Sequence, residues 1–129
     1  MLLAVDTSTA QLGLALYDGA TVAAELVWTS RLRHTAELAP ALASLLERAG
    51  LPISGLSALA VAIGPGSFTS LRVGLSFAKG LALARKIPCF GIRTLDVVAA
   101  SVPVQTLPLA AVVQAGRGRE GRARELQGA

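Results

Sequence analysis

Apolar and polar positions recur along this chain with a period that changes several times, and each change marks an element. Residues 2–5, Leu-Leu-Ala-Val, form an apolar run closed by Asp6-Thr7-Ser8-Thr9, which predicts a buried strand ending in a polar turn. Residues 12–17 supply a second run, and Asp18-Gly19 behind it is a tight hairpin signal. Residues 21–28 then return as a third strand, giving a three-strand meander. Beyond it the period lengthens. Leu38, Leu42, Leu45, Leu46 and Ala49 recur at three- and four-residue spacing, the signature of one helix face over positions 34–49. Glu37 suits the positive end of that helix, Gly50 supplies its stop, and Pro40 predicts a bend near its start.

Residues 56–63 are fully apolar, too few for a helix, and are closed by Gly64-Pro65-Gly66; they predict a strand. Ser67 or Thr69 then caps a second helix running to about position 85. Residues 87–92 read as another short buried strand, and Thr94 opens a third helix over 96–100. A meander followed by alternating helices and strands implies an α/β domain with a mixed sheet. Residues 107–113 predict one more strand. Residues 114–129 are Gly- and Arg-rich with Leu126 as the one large aliphatic residue, so they are expected to be disordered. A strand arriving there, with nothing after it to cover it, reads as the opening of an interrupted domain. The expected division is 1–106 as one half-domain and 107–129 as the start of a second.

Composition narrows the chemistry. At 129 residues the chain is one domain at most, and 53% apolar against 16% charged excludes wholesale disorder. The single Cys excludes a disulfide framework, and with the single His it leaves too few ligands for an ordinary zinc site. Both point to a reducing, cytoplasmic chain, with no metal and no cofactor expected. The mean hydropathy of +0.59 raises the question of a membrane. The uncharged windows 49–71 and 97–116 are broken by Pro and Gly, so neither reads as a span. The start lacks a basic region and a long apolar run, and no signal peptide is expected. Net charge is +4, half of it from four Arg and two Glu between positions 117 and 125. That is weak support for nucleic-acid binding.

The distinctive stretch is residues 64–72, Gly-Pro-Gly-Ser-Phe-Thr-Ser-Leu-Arg. A strand-to-helix turn of this kind leaves backbone N–H groups at the helix start, which suits either an anion or a plain cap. No Gly-Lys-Ser/Thr follows for a phosphate loop, and a third Gly for a dinucleotide fingerprint would fall on Thr69. Gly64, Pro65, Gly66, Ser67 and Thr69 are accordingly read as a structural turn. Asp6-Thr7-Ser8-Thr9 is placed like a phosphate-binding turn of the actin-like kinases but lacks the Gly that lets backbone approach a phosphate. An Asx or Ser/Thr turn fits it better. A metal pair based on His34 would need a ligand at position 38, which is Leu38. A Ser67–His34–Asp6 triad has no supporting spacing, and Cys89 reads as a core residue.

Residues 64–80, Gly-Pro-Gly-Ser-Phe-Thr-Ser-Leu-Arg-Val-Gly-Leu-Ser-Phe-Ala-Lys-Gly, resemble the signature of the TsaB (YeaZ) family, and residues 3–8 and 33–38 fall where that family's first strand and helix would. The likeness covers roughly positions 1–115, with Ser70 standing where the family usually has Gly. It implies an actin-like, ribonuclease-H-like fold and, for this chain, its N-terminal half. It also implies a non-catalytic dimerization subunit of the complex that forms threonylcarbamoyladenosine at position 37 of tRNA. The implied partners are the catalytic paralogue TsaD and the ATPase subunit TsaE, with a homodimer as a further option and tRNA met only through the complex. That paralogue's His-x-x-x-His pair is not matched here, because of Leu38. The alternative is an enzyme of the same superfold, a kinase or carbamoyl transferase, binding nucleotide at Asp6 and the Gly64 turn.

The second helix is the expected partner interface. Arg72, Ser76 and Lys79 form one narrow polar stripe on it, and nearly everything else is apolar or small. Ser70, Gly74, Ala78 and Ala82 recur every four residues and would let a partner helix approach closely. With Leu71 and Leu75, and with Leu42, Leu45 and Leu46 of the first helix, they make up the expected interface.

Overall fold

The structure, a computed structural model, describes residues 1–31, 34–103, 106, 108–115 and 119–122. The element order is β1 (Leu2–Asp6), β2 (Gln11–Tyr17), β3 (Val22–Thr29), α1 (His34–Arg48), β4 (Ala58–Ala62), α2 (Phe68–Arg85), β5 (Cys89–Ile92), α3 (Thr94–Ala100), β6 (Val112–Ala115) and β7 (Arg119–Arg122). Strands β1 to β5 form one sheet in the order β3-β2-β1-β4-β5. The meander half is antiparallel, and β1, β4 and β5 run parallel, as crossovers through helices require.

Register explains how the core is assembled. Leu3 sits opposite Leu16 on one side and Leu59 on the other, and Val5 likewise sits opposite Leu14 and Val61. Two continuous rows of large aliphatics therefore cross three strands on one face. Leu38, Leu42 and Leu45 of α1 and Ala78 and Ala82 of α2 close over them. Each fully buried Leu contributes about 1.5–3 kcal/mol relative to exposure, so this one face accounts for most of the hydrophobic drive.

The hairpin at Asp18-Gly19 forms as its sequence predicts. Gly19 adopts φ +107°, and the Asp18 carboxylate accepts from the amides of Ala20 and Thr21 at 2.7 Å each. The Thr21 amide, followed by that of Ala20, holds the Asp18 pKa below its ordinary value, because both bonds favour the ionised form. Helix α1 runs through Pro40 and ends in a Schellman motif. Gly50 takes φ +62°, its N–H donates to Glu47 O, and Leu51 N–H donates to Leu46 O at 2.9 Å. Helix α2 ends the same way, with Ile87 N–H donating to Ala82 O, but the left-handed position is held by Lys86.

Two expectations change. Ser67 occupies the N-cap position of α2 without a side-chain capping bond, and Thr69 lies inside the helix. Beyond position 113, Gln114 and Ala115 belong to β6, which pairs antiparallel with β7. Arg119, Glu120, Gly121 and Arg122 thus lie in a strand where none was expected. Ladder hydrogen bonds come from the backbone, so low side-chain hydrophobicity does not preclude them. The expected disorder at 116–118 and 123–129 concerns residues outside those described. No described helix is long and apolar enough to cross a membrane.

Candidate functional site

The sequence's most distinctive segment folds back on the polar turn after β1. Asp6 Oδ1 accepts from the Ser8 amide at 2.9 Å and from Ser8 Oγ at 2.6 Å, so one oxygen of this carboxylate braces its own turn. Thr7 and Ser8 are fully buried. Thr7 Oγ1 donates at 2.7 Å to the carbonyl of Ser70 in the first turn of α2, and Ser67 N–H donates at 2.9 Å to Ser8 O. Gly66 lies so close to Ser8 that a Cβ there would overlap the Ser8 carbonyl oxygen. Gly64 holds φ +107° before a cis peptide to Pro65, and its carbonyl accepts from Thr94 N–H at 2.9 Å. The turn Gly64, Pro65, Gly66, Ser67 therefore bridges β1, α2 and α3. It lies at the carboxyl ends of β1 and β4, the end of the sheet at which open α/β folds commonly take ligands.

The small-residue stripe on α2 faces inward. Ser70, Gly74, Ala78 and Ala82 are its buried residues, and a Cβ on Gly74 would overlap Thr7 Oγ1. Small residues let α2 settle close to β1 and β4 of its own sheet, which corrects their reading as a surface for a partner helix. Leu42, Leu45 and Leu46 are likewise core residues of this chain, at 5%, 2% and 7% exposure. Leu71 and Leu75 are half-buried. The wide apolar arc is shared out, with the sheet beneath and α1 beside, where Val73, Phe77 and Leu81 join the core.

Solvent meets a different stripe: Phe68, Arg72, Ser76, Lys79 and Leu83, spaced at three and four residues. Phe68 and Leu83 stand 72% and 81% exposed. The Arg72 guanidinium lies over the Phe68 ring, 5.3 Å from its centroid. A cleft of about 590 Å³ opens beside it between the first turns of α1 and α2, with Thr35, Leu38, Val73 and Phe77 among its walls.

The opposite sheet face is also open, and the sequence announces it. Leu3-Ala4-Val5, Leu14-Ala15-Leu16 and Leu59-Ala60-Val61 place an Ala between large residues on three adjacent strands. Ala4 pairs with Ala15 and Ala60, so small residues line up on the face that α1 and α2 do not cover. They floor a hollow with Gly13, Ala62 and Ile92. Among the described residues, no group of three His, Cys, Asp or Glu side chains comes together, and the His34 side chain lies outside those described. Cys89 is half-buried at the core's margin.

A family profile described as "TsaD: tRNA N6-adenosine threonylcarbamoyltransferase" matches residues 15–123. The chain is 38% identical over 98 residues to the tRNA threonylcarbamoyladenosine biosynthesis protein TsaB of Escherichia coli, covering 76% of this chain and 42% of that protein. It is 39% identical over 100 residues to TsaB of Bacillus subtilis, covering 78% and 44%. The solved structure of YeaZ from Pseudomonas aeruginosa superposes with a TM-score of 0.82 at 27% identity, over 95% of this chain and 64% of that one. The chain thus spans less than half the length of these two curated relatives.

Proposed function

The chain belongs to the TsaB (YeaZ) group of the tRNA N6-adenosine threonylcarbamoyltransferase family, and from that premise we propose that it acts as a pairing subunit without chemistry of its own. In this reading residues 1–106 are the N-terminal actin-like half-domain, and 107–129 open a second. The assembly it serves forms threonylcarbamoyladenosine in tRNA in the cytoplasm. Its direct partner is the catalytic paralogue of the TsaD type, and TsaE and tRNA are met through that partner.

One observation supports this above others: the turn after β1, where the nucleotide reading would place a phosphate, is bonded and packed against the chain's own residues. Asp6 is bonded to Ser8, Thr7 to Ser70, and Gly66 is pressed on the Ser8 carbonyl. Leu38, fully inside the core, stands where a metal-pair ligand would be needed. The pairing surface in this reading is the outward stripe of α2 with the neighbouring flank of α1.

The test is co-purification of this chain with the TsaD-type paralogue of the same genome, alongside calorimetry of the isolated chain with ATP. A stable complex and no ATP heat are expected. Micromolar ATP affinity, lost on Asp6→Ala, would establish the enzyme alternative instead.

A further inference from the structure

We infer that the Met1 α-ammonium is an anchor of the fold and a modification-sensitive site: an acyl group on that nitrogen, formyl or acetyl, loosens the start of β1 from the loop before β4. The inference is independent of the pairing role. The Met1 nitrogen donates to Gly55 O at 3.3 Å and to Ser57 Oγ at 3.1 Å. Ser57 answers in the other direction. Its N–H donates to Met1 O at 2.8 Å and its hydroxyl donates to the same oxygen at 3.2 Å. These bonds continue the parallel ladder of β1 and β4 beyond the pair Leu2 with Ala58. The Met1 side chain packs on the core cluster, and Leu56, between the two acceptors, is buried. Packing and hydrogen bonds together fix where the nitrogen sits.

The acceptors suit a cation. Residues Ile53–Gly55 form a single 3-10 turn, in which Gly55 N–H donates to Pro52 O at 2.8 Å and Leu56 N–H to Ile53 O at 3.2 Å. A turn of this kind leaves the carbonyls at its end for other donors. Both of those carbonyls meet a positive group: Arg85 Nη2 donates to Ser54 O at 3.3 Å, and the Met1 ammonium donates to Gly55 O. An ammonium carries three N–H donors and a full charge, whereas an acylated nitrogen is an amide with one N–H and no charge. The amide can serve Gly55 O or Ser57 Oγ but not both, and the bond it keeps is no longer charge-assisted. The strand affected is the central one of the sheet, and its other end carries the turn whose Thr7 holds α2.

The experiment compares the full chain bearing a free Met1 amine with the same chain acetylated at that nitrogen alone, each state verified by peptide mass, in the wild type and in Ser57→Ala. Ser57 is exposed, so the variant should fold. Acetylation of the wild type is expected to raise the unfolding equilibrium constant in urea by about threefold to tenfold. Exchange protection of the Ser57 amide, which donates to Met1 O, should fall by at least the same factor. In Ser57→Ala one acceptor is already gone, so acetylation should cost less, and the difference is the coupling between the two groups. Equal or greater stability of the acetylated wild type overturns the inference. So does an equal loss in the wild type and in Ser57→Ala, which would trace the effect to bulk at the terminus rather than to these bonds.

Discussion

Gly74 and Thr7 are fitted to each other: the Thr7 hydroxyl fills the space a Cβ on Gly74 would need, and the same hydroxyl donates at 2.7 Å to Ser70 O one turn earlier. The contact fixes both the height of α2 above the sheet and its rotation. It joins the two most distinctive segments of the sequence, the turn after β1 and the run that begins at Gly64.

Adding a methyl group at this point has to push α2 away from β1. Gly74→Ala is expected to destabilise the fold by about 1–3 kcal/mol, despite the gain in helix propensity. Gly80, in the same helix, has open space where its Cβ would be. Gly80→Ala is expected to stabilise by about 0.5–1 kcal/mol. Urea unfolding of the two variants checks the pair, and equal signs would contradict the assigned orientation of α2.

The two Schellman ends give a second matched pair. Gly50 is suited to its left-handed conformation and Lys86, at φ 54°, is not. Lys86→Gly is expected to raise stability by about 0.5–1 kcal/mol, and Gly50→Ala to lower it by a similar amount. Thermal melts followed by circular dichroism would show the opposite shifts.

The Trp28 indole donates to Glu37 Oε2 at 3.0 Å, tying β3 to the first turn of α1. Glu37→Gln keeps an acceptor and should cost little. Glu37→Ala leaves the half-buried indole N–H without this acceptor and should cost about 1–2 kcal/mol. Trp28 is the only Trp in the chain, so a change in its fluorescence reports the same event locally.

Asp18 makes the hairpin sensitive to acid. Its folded pKa lies below the ordinary aspartate value because the Thr21 and Ala20 amides favour the ionised form, so its stabilisation is present above the ordinary value and is lost as pH falls through the lower folded pKa. The difference in melting temperature between wild type and Asp18→Ala should be constant above about pH 5 and should close in stronger acid. A difference that grows on acidification would reverse the assigned sign. Because the carboxylate is fully exposed, the effect is expected to be small.

Much of this architecture is legible in one dimension. Strands and helices announce themselves by period, the hairpin by Asp18-Gly19, and the end of α1 by Gly50, because each depends on local geometry or on burial of one face. The alternation of Ala with Leu and Val in β1, β2 and β4 even encodes which sheet face is built for close approach. Helix α2 is where such reading stops. Being apolar or small on almost every side, it carries little directional information, so its small-residue stripe is equally suited to a partner helix or to its own sheet. Only the folded chain decides, through the steric fit of Gly74 to Thr7 and through α1 claiming the flank at Val73 and Phe77. That choice buries Leu42, Leu45, Leu46, Ser70, Gly74, Ala78 and Ala82 of the expected interface, leaves Leu71 and Leu75 half-buried, and leaves Phe68, Arg72 and Leu83 outside. The β6–β7 ladder is decided in the same way, since it draws on backbone groups that every residue but proline can pair in full, and side-chain pattern does not record them.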